Sequence, residues 1–317
     1  MQLIVSESHS PSFNLAAEQY LLAEHQSDVL LLYINSPCII VGRNQNAFAE
    51  VNIPFCRQKN ISVVRRLSGG GTVYHDEGNI NFCFISQKSS NPLDVDYLAH
   101  IEEALAHIGI DTSRGTRKDL YINHKKISGT AMHSSGDHLL FHGTLLYNTN
   151  LDWLEKALTP IEKVESRAVK SIRSEVGNMH LTPTLSEGEG KIGQNFNEKQ
   201  SVIHPGGYSP LLRRGVGGEA FTFFDQLLSF FSAKYRTTPK FLSPEEKVFI
   251  AQLQAERYDI WEWNWAQSPK SQLTHHFQLN GETYSVILSI EKGIVTAVSD
   301  SCPTSLQTQL IGKRFEG

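Results

Sequence analysis

Three consecutive glycines, Gly69, Gly70 and Gly71, lie inside RRLSGGGTVYHDEGN, the stretch from Arg65 to Asn79. Without a Cβ, glycine admits positive φ and lets another group approach the main chain. Such a run can turn sharply and present several N–H donors to one anion, a phosphate or a carboxylate. Taken alone it supports a simple turn more readily than an anion site. Two common phosphate loops are excluded by spacing, since GGGTVYHDEG is neither G-x-x-x-x-G-K-[ST] nor G-x-G-x-x-G. Arg65 and Arg66 occupy alternating strand positions, so one can face a ligand, where its fork suits phosphate oxygens, and the other is left a structural or solvated role. His75 and Asp76 are adjacent on a strand and point to opposite faces, which argues against a catalytic pair. Asp76 is expected to fix a turn and His75 to support the loop.

Strands and helices must position these groups. SFNLAAEQYLLAEH places Phe13, Ala16, Ala17, Tyr20 and Leu21 on one helical face. VLLLYI and CIIVG, separated by Asn35, Ser36 and Pro37, read as strands, as do SVVRRL, GTVYH and NINFCFI. DVDYLAHIEEALAHIGI repeats Tyr97, Ile101, Ala104, Leu105 and Ile108 at helical spacing, with Asp94 or Asp96 as cap. DLYINHKKISGTAM gives two strands about a turn at Asn123 and His124, and HLLFHGTLLYN a third. From Thr182 to Gly218 the chain is dense in Gly, Pro, Ser and Asn and reads as an irregular insertion. EAFTFFDQLLSFFSAKY resumes as a buried helix. In LSPEEKVFIAQLQAERY, Ser243, Pro244 and Glu246 form a capping box, and three strands follow with turns at Asn280-Gly281 and Lys292-Gly293. The expected class is α+β, with a large mixed-sheet domain over 1–238 and a small α/β domain over 243–317.

At 317 residues, 40% hydrophobic and 20% charged, the chain can bury a sizeable core. A net charge of -4 does not suit a nucleic-acid binder. Cys38, Cys56, Cys83 and Cys302 are widely spaced with no C-x-x-C pair, which argues against disulfides and zinc and fits a reducing cytoplasm. Neither a leader nor a run near ~18 apolar residues is evident, so no membrane association is expected.

RRLSGGGTVYHDEGNINF resembles the signature of the lipoate-protein ligases, R-R-x-S-G-G-G-x-V-x-H-D-x-G-N, at every fixed position. SPSFNLAAEQYLL, CIIVGRNQNAFAEVN, KKISGTAM, FHGTLLYN, VKSIRSEVGN and WEWNWAQSP resemble further segments of the same family. The resemblance implies a catalytic domain of biotin/lipoate ligase type with a C-terminal accessory domain that moves between two reaction steps. It implies activation of free lipoate by ATP, with Mg2+ accompanying the nucleotide and no resident metal, and transfer to a lysine of lipoyl domains. The implied carriers are the lipoyl domains of 2-oxoacid dehydrogenase E2 subunits and the glycine cleavage H protein. By the same resemblance Arg66, Gly71, Thr72, Val73 and Tyr74 bind the nucleotide, Lys126 contacts both lipoate and the α-phosphate, and Ser68, Gly70 and His133 complete the lipoate site. His75, Asp76, Asn79, Asp119 and His142 are implied in support, Asp119 by orienting Lys126 or helping to hold magnesium.

Two positions depart from the family pattern. Lys118 replaces the Asn of Asn-Asp-Leu, and His133 stands where some members carry an arginine. The nearest rival, an octanoyl or lipoyl transferase of the same fold, needs a cysteine nucleophile in or after the lysine loop, and no cysteine lies between Cys83 and Cys302. A catalytically silent binder of lipoyl domains is the other alternative, and intact Arg66, Gly69, Gly70, Gly71 and Lys126 favour an enzyme over it.

Overall fold

The computed structural model describes residues 1–25, 27–88, 95–179, 218–279, 282–299 and 302–315. The Asn280-Gly281 turn, Asp94 as an alternative cap, and 182–217 of the expected insertion lie outside the described residues. A six-stranded sheet forms the centre, in the order Thr130–Ser135, His138–Leu146, Asn79–Gln87, Val29–Ile34, Gln2–Val5, Lys240–Phe241. Its first three pairings are antiparallel and its last two parallel, so the sheet is mixed as expected.

VLLLYI is apolar throughout because both faces of its strand are covered. Leu30 and Leu32 pack with Phe82 and Phe84 under the helices Tyr97–His107 and Gly218–Tyr235, through Ile101, Leu105, Phe224, Leu228 and Phe231. Leu31 and Tyr33, one residue out of phase, face the helix Pro11–Glu24 through Leu15 and Leu21. Each such side chain contributes about 1.5–3 kcal/mol when fully buried. Asp96 caps the helix Tyr97–His107 by accepting from Ala99 N.

The strands on either side of Asn35–Pro37 diverge instead of sharing a sheet. Cys38–Val41 lies in a second sheet, parallel to Ser62–Arg65 and antiparallel to Val73–His75. A third small sheet, Ser113–Arg114, Leu120–Ile122 and Lys125–Ser128, carries the lysine loop. Asn123 and His124 both have positive φ, 49° and 65°, which is the two-residue turn that matches strand twist.

The three C-terminal strands, Ser271–Leu279, Glu282–Glu291 and Ile294–Val298, form a sheet with a fourth that sequence periodicity missed, Lys163–Ser166 at its edge. Ahead of them the capping box is present: Ser243 Oγ accepts from Glu246 N at 3.1 Å while Ser243 N donates to Glu246 Oε2 at 2.7 Å. Leu242, Ile250 and Tyr258 pack into the core beneath Pro11–Glu24, so the chain on the far side of residue 238 still contributes to the large unit. Among the described residues no helix is long and apolar enough to cross a membrane.

Lys118 has φ 58°, a left-handed conformation that asparagine tolerates better than lysine. The departure from Asn-Asp-Leu therefore sits where a side chain beyond Asn is strained. Lys118→Asn is expected to stabilise the fold by about 0.5–1 kcal/mol. Thermal unfolding checks it, and a lowered Tm would contradict this reading.

Candidate active site

A cavity of about 310 Å³ opens between the six-stranded sheet and the strand Val73–His75, with the glycine loop along one wall and Lys126 at its mouth. The loop is shaped from beneath. Arg66, buried at 5% exposure, donates from Nε to Ser68 Oγ at 2.9 Å, from Nη1 to Ile40 O at 3.1 Å, and from Nη2 to Gly69 O and Gly71 O at 2.7 and 2.8 Å. Burial pushes its guanidinium down to about 10, opposed by the charges of Glu18 and Tyr33. The fork expected to reach a phosphate is thus largely occupied by the loop's own oxygens, which leaves Arg66 the task of fixing the loop. Gly70 turns with φ 88°, and Gly42 passes so close beneath that a Cβ there would stand 2.1 Å from Gly70 O.

Gln45 ties the loop to a strap, residues 169–172, that lines the cavity. Its Oε1 accepts from Thr72 Oγ1 at 2.7 Å and its Nε2 donates to Ser171 Oγ at 2.9 Å. Ser171 Oγ also accepts from Thr72 N at 2.9 Å, and Ser171 N donates to Glu50 Oε1. Lys170, Ser171 and Ile172 line the cavity from this strap, and Arg117 lines it from the loop before Lys118.

Lys126 Nζ lies 2.9 Å from Asp119 Oδ2, with side chains 23% and 2% exposed. Burial by itself would raise the Asp119 carboxyl, but the hydrogen bond and charge of Lys126 hold it below its ordinary value. Asp119 Oδ1 is buried without a partner. The main chain of Lys126 is clamped on both sides of the residue, donating to Glu175 O and accepting from Gly177 N. Its ammonium is therefore delivered by a fixed strand and aimed by a buried carboxylate.

From this mouth the cavity runs across the sheet. Thr144 Oγ1 accepts from Gly129 N near Lys126, and in the ladder Thr144 faces Asn81, which faces Tyr33. Two strand spacings of about 4.8 Å separate Thr144 from Tyr33, so the lining extends roughly 10 Å across the sheet to its Tyr33 end. That end is polar. Tyr33 donates to Glu18 Oε1 at 2.9 Å, Glu18 Oε2 meets His142 Nδ1 at 2.8 Å, and His142 Nε2 meets Ser68 Oγ at 2.7 Å. This buried chain joins the Tyr33 end of the cavity to the glycine loop.

His75 sits there at 4% exposure with Nδ1 3.1 Å from the Asn35 amide nitrogen, while its Nε2 has no partner. An Nδ1 that accepts from Asn35 leaves the proton on Nε2. Burial, then the charges of Arg66 and His142, push His75 down to about 3. Because the folded value lies below the unfolded 6.5, the neutral ring stabilises fully only above pH 6.5, and that stability is lost as pH falls toward 3. Wild-type stability is therefore expected to fall as pH drops through this window. Denaturant unfolding of His75→Asn should show a shallower fall, and identical slopes would contradict the assignment.

Several expected residues lie elsewhere. Val73 and His75 line the cavity, but Tyr74 between them packs with Ile39 and Val41 in a separate core, so its side chain takes no part. Asp76 fixes a turn, accepting from Gly78 N and Asn150 N. Asn79 donates to Asn81, which lines the cavity in its stead. His133 lies two residues past Ala131, outside the lining, where burial and then the charges of His142, Arg43 and Lys88 lower it. Sequence reasoning missed Glu18, Gln45, Arg117 and Ser171. VKSIRSEVGN was noticed as a segment, yet nothing in it signalled that Ser171 would bond a loop some hundred residues away.

Set beside known proteins, residues 10–187 match the lipoyl protein ligase A/B catalytic domain. Lipoate-protein ligase LplJ of Bacillus subtilis is 30% identical across 97% of this chain and 88% of its own length. The structure of P. falciparum LipL1 in complex with lipoate superposes with a TM-score of 0.61 at 20% identity, covering 99% of this chain and 90% of that one. A lipoate-protein ligase A bound with ATP superposes at 0.58 and 21% identity, covering 83% and 97%. At these identities the structural likeness establishes the shared α+β fold.

Proposed function

Since this chain belongs to the lipoate-protein ligase family, we infer that it is an ATP-dependent ligase that converts free lipoate to lipoyl-AMP and then lipoylates a lysine of a carrier domain. The observation that carries the assignment of the reacting centre is Lys126, held by Asp119 between the glycine loop and the start of a cavity long enough for a medium-chain acid.

In the first step a lipoate carboxylate oxygen bonds to the α-phosphorus and the bond to pyrophosphate breaks. Two anions must meet, so the barrier is lowered by holding them in line and neutralising their charge. Lys126 is the cation we assign to both anions, and the reading is supported by its pairing with Asp119, which holds the ammonium before either arrives. In the second step the carrier amine attacks the acyl carbonyl and AMP leaves. No enzyme nucleophile is required. The four cysteines are buried, none lines the cavity among the described residues, and burial raises each thiol, Cys56 to about 12. This disfavours the cysteine-dependent transferase.

Magnesium would enter with ATP and reduce the charge of the phosphates. Among the described residues no cluster of three or more His, Cys, Asp or Glu could form a dedicated cage. Among the described residues Asp119 is the one carboxylate lining the cavity, so it is the side chain that would contact a nucleotide-borne ion. Arg117 and Lys170, exposed at the mouth, suit the polyphosphate. For the acyl group, the unpartnered His75 Nε2–H at the Tyr33 end favours an acid whose tail offers an acceptor, as the lipoate sulfurs do weakly. Lipoyl domains of 2-oxoacid dehydrogenase E2 subunits and the glycine cleavage H protein are the proposed carriers.

Incubation of the protein with an unlipoylated carrier domain, lipoate, ATP and magnesium should add one lipoyl group to one carrier lysine by mass spectrometry, and nothing without ATP. Modification from an acyl-carrier thioester without ATP would favour the transferase instead.

A further inference from the structure

Among the described residues Arg65, the twin of Arg66, is the largest fully buried side chain, at 0% exposure, and no ion pair joins it to a carboxylate. Its hydrogen bonds go to neutral oxygens on two sides. Nη1 donates to Gly42 O at 3.0 Å, Arg43 O at 3.3 Å and Gln45 O at 2.7 Å. Nε donates to Trp263 O at 3.2 Å, while Nη2 donates to Asn264 O at 3.0 Å and Ser268 Oγ at 3.1 Å. The main chain repeats the join, with Arg65 N donating to Asn264 Oδ1 and Trp263 Nε1 donating to Arg65 O. Arg43 lies over the Trp263 ring at 4.3 Å. Burial, then the charges of Arg43 and Arg66, push Arg65 down to about 10.

We propose that Arg65 is a positioning residue that couples the C-terminal segment at Trp263, Asn264 and Ser268 to ATP binding at the glycine loop, by way of Gln45. This rests on the ligase reading above. A guanidinium is a rigid planar fork, so a shift of the partners on Nε and Nη2 turns Nη1 with it. Nη1 holds the main chain of Gln45, and the Gln45 side chain holds Thr72 Oγ1 and Ser171 Oγ. Thr72 and Ser171 line the cavity at its nucleotide side. These bonds run by way of Gln45 to Thr72 and Ser171, whereas Tyr33 reaches the glycine loop by a separate chain through Glu18, His142 and Ser68, so the coupling is expected to act more on ATP than on lipoate.

The test uses the full chain and lipoate-dependent pyrophosphate exchange, with KM measured for ATP and for lipoate. Ser268→Ala and Arg65→Lys, which keeps the charge but loses the fork, should each raise KM for ATP about 3- to 30-fold while KM for lipoate stays within about twofold. Gln45→Ala should raise KM for ATP as well, and adding Ser268→Ala to it should bring no further rise. Parallel shifts in both KM values, or effects of Ser268→Ala and Gln45→Ala that multiply in full, overturn the proposal. If Arg65→Lys does not fold, the Ser268 and Gln45 cycle decides alone. A wild-type chain without exchange removes the ligase reading itself; normal wild-type exchange with unselective variants overturns the coupling only.

Discussion

Replacing Lys126 by alanine should lower the rate of lipoyl-AMP formation by about 10²- to 10³-fold, the loss that follows removal of one preorganised group facing developing charge. The protein should remain folded. Lys126 is only partly buried, but its loss strands Asp119, at 2% exposure, without its cation. The Asp119 carboxyl is held down in the folded state, so its contribution to stability is present above the unfolded value and is lost as pH falls through the folded one. Lys126→Ala removes that contribution and lowers Tm at neutral pH. Adding Asp119→Asn should recover Tm without recovering the rate, which separates chemistry from folding. Rates unchanged in Lys126→Ala would remove the lysine from the mechanism.

Gly42→Ala is expected to be the most damaging single methyl in the site. Its Cβ would fall 2.1 Å from Gly70 O, and both atoms belong to backbone that Arg65 and Arg66 hold in place. Overpacking of this kind costs about 1–3 kcal/mol, and relief must come from displacing the glycine loop, so affinity for ATP should fall with Tm. The triplet itself divides. A Cβ on Gly69 meets nothing within 4 Å, whereas Gly70 has φ 88° and strains any other residue. Gly69→Ala should therefore leave Tm nearly unchanged and Gly70→Ala should lower it. Unfolding scans of the three variants check the order, and equal effects at Gly69 and Gly70 would contradict it.

Much of this site was legible because it is local in sequence. RRLSGGGTVYHDEGN carries its strand, its turn and its arginines within fifteen positions, and INHKKISG carries Lys126 with the tight turn at Asn123 and His124 that starts its strand. Alternation along a strand separated Arg65 from Arg66 and His75 from Asp76; applied one residue earlier, it would also have turned the Tyr74 side chain away. What remained hidden depends on long-range pairing. Glu18 reads as the polar face of an amphipathic helix, yet it is 3% exposed because His142 and Tyr33 close on it from two strands. Ser171 sits in a segment without periodicity, and its value comes from Thr72 and Gln45. The strand Lys163–Ser166 is four residues long with exposed alternate positions, and only Ser271–Leu279 makes it a strand.

The most direct test of the central claim is ATP–pyrophosphate exchange by the purified chain with magnesium, with and without lipoate. Exchange that requires lipoate, accompanied by lipoyl-AMP on the protein, is the predicted result. Exchange that is absent with lipoate, or that proceeds equally without it, would contradict the claim that Lys126 and the glycine loop form an acyl-adenylating site.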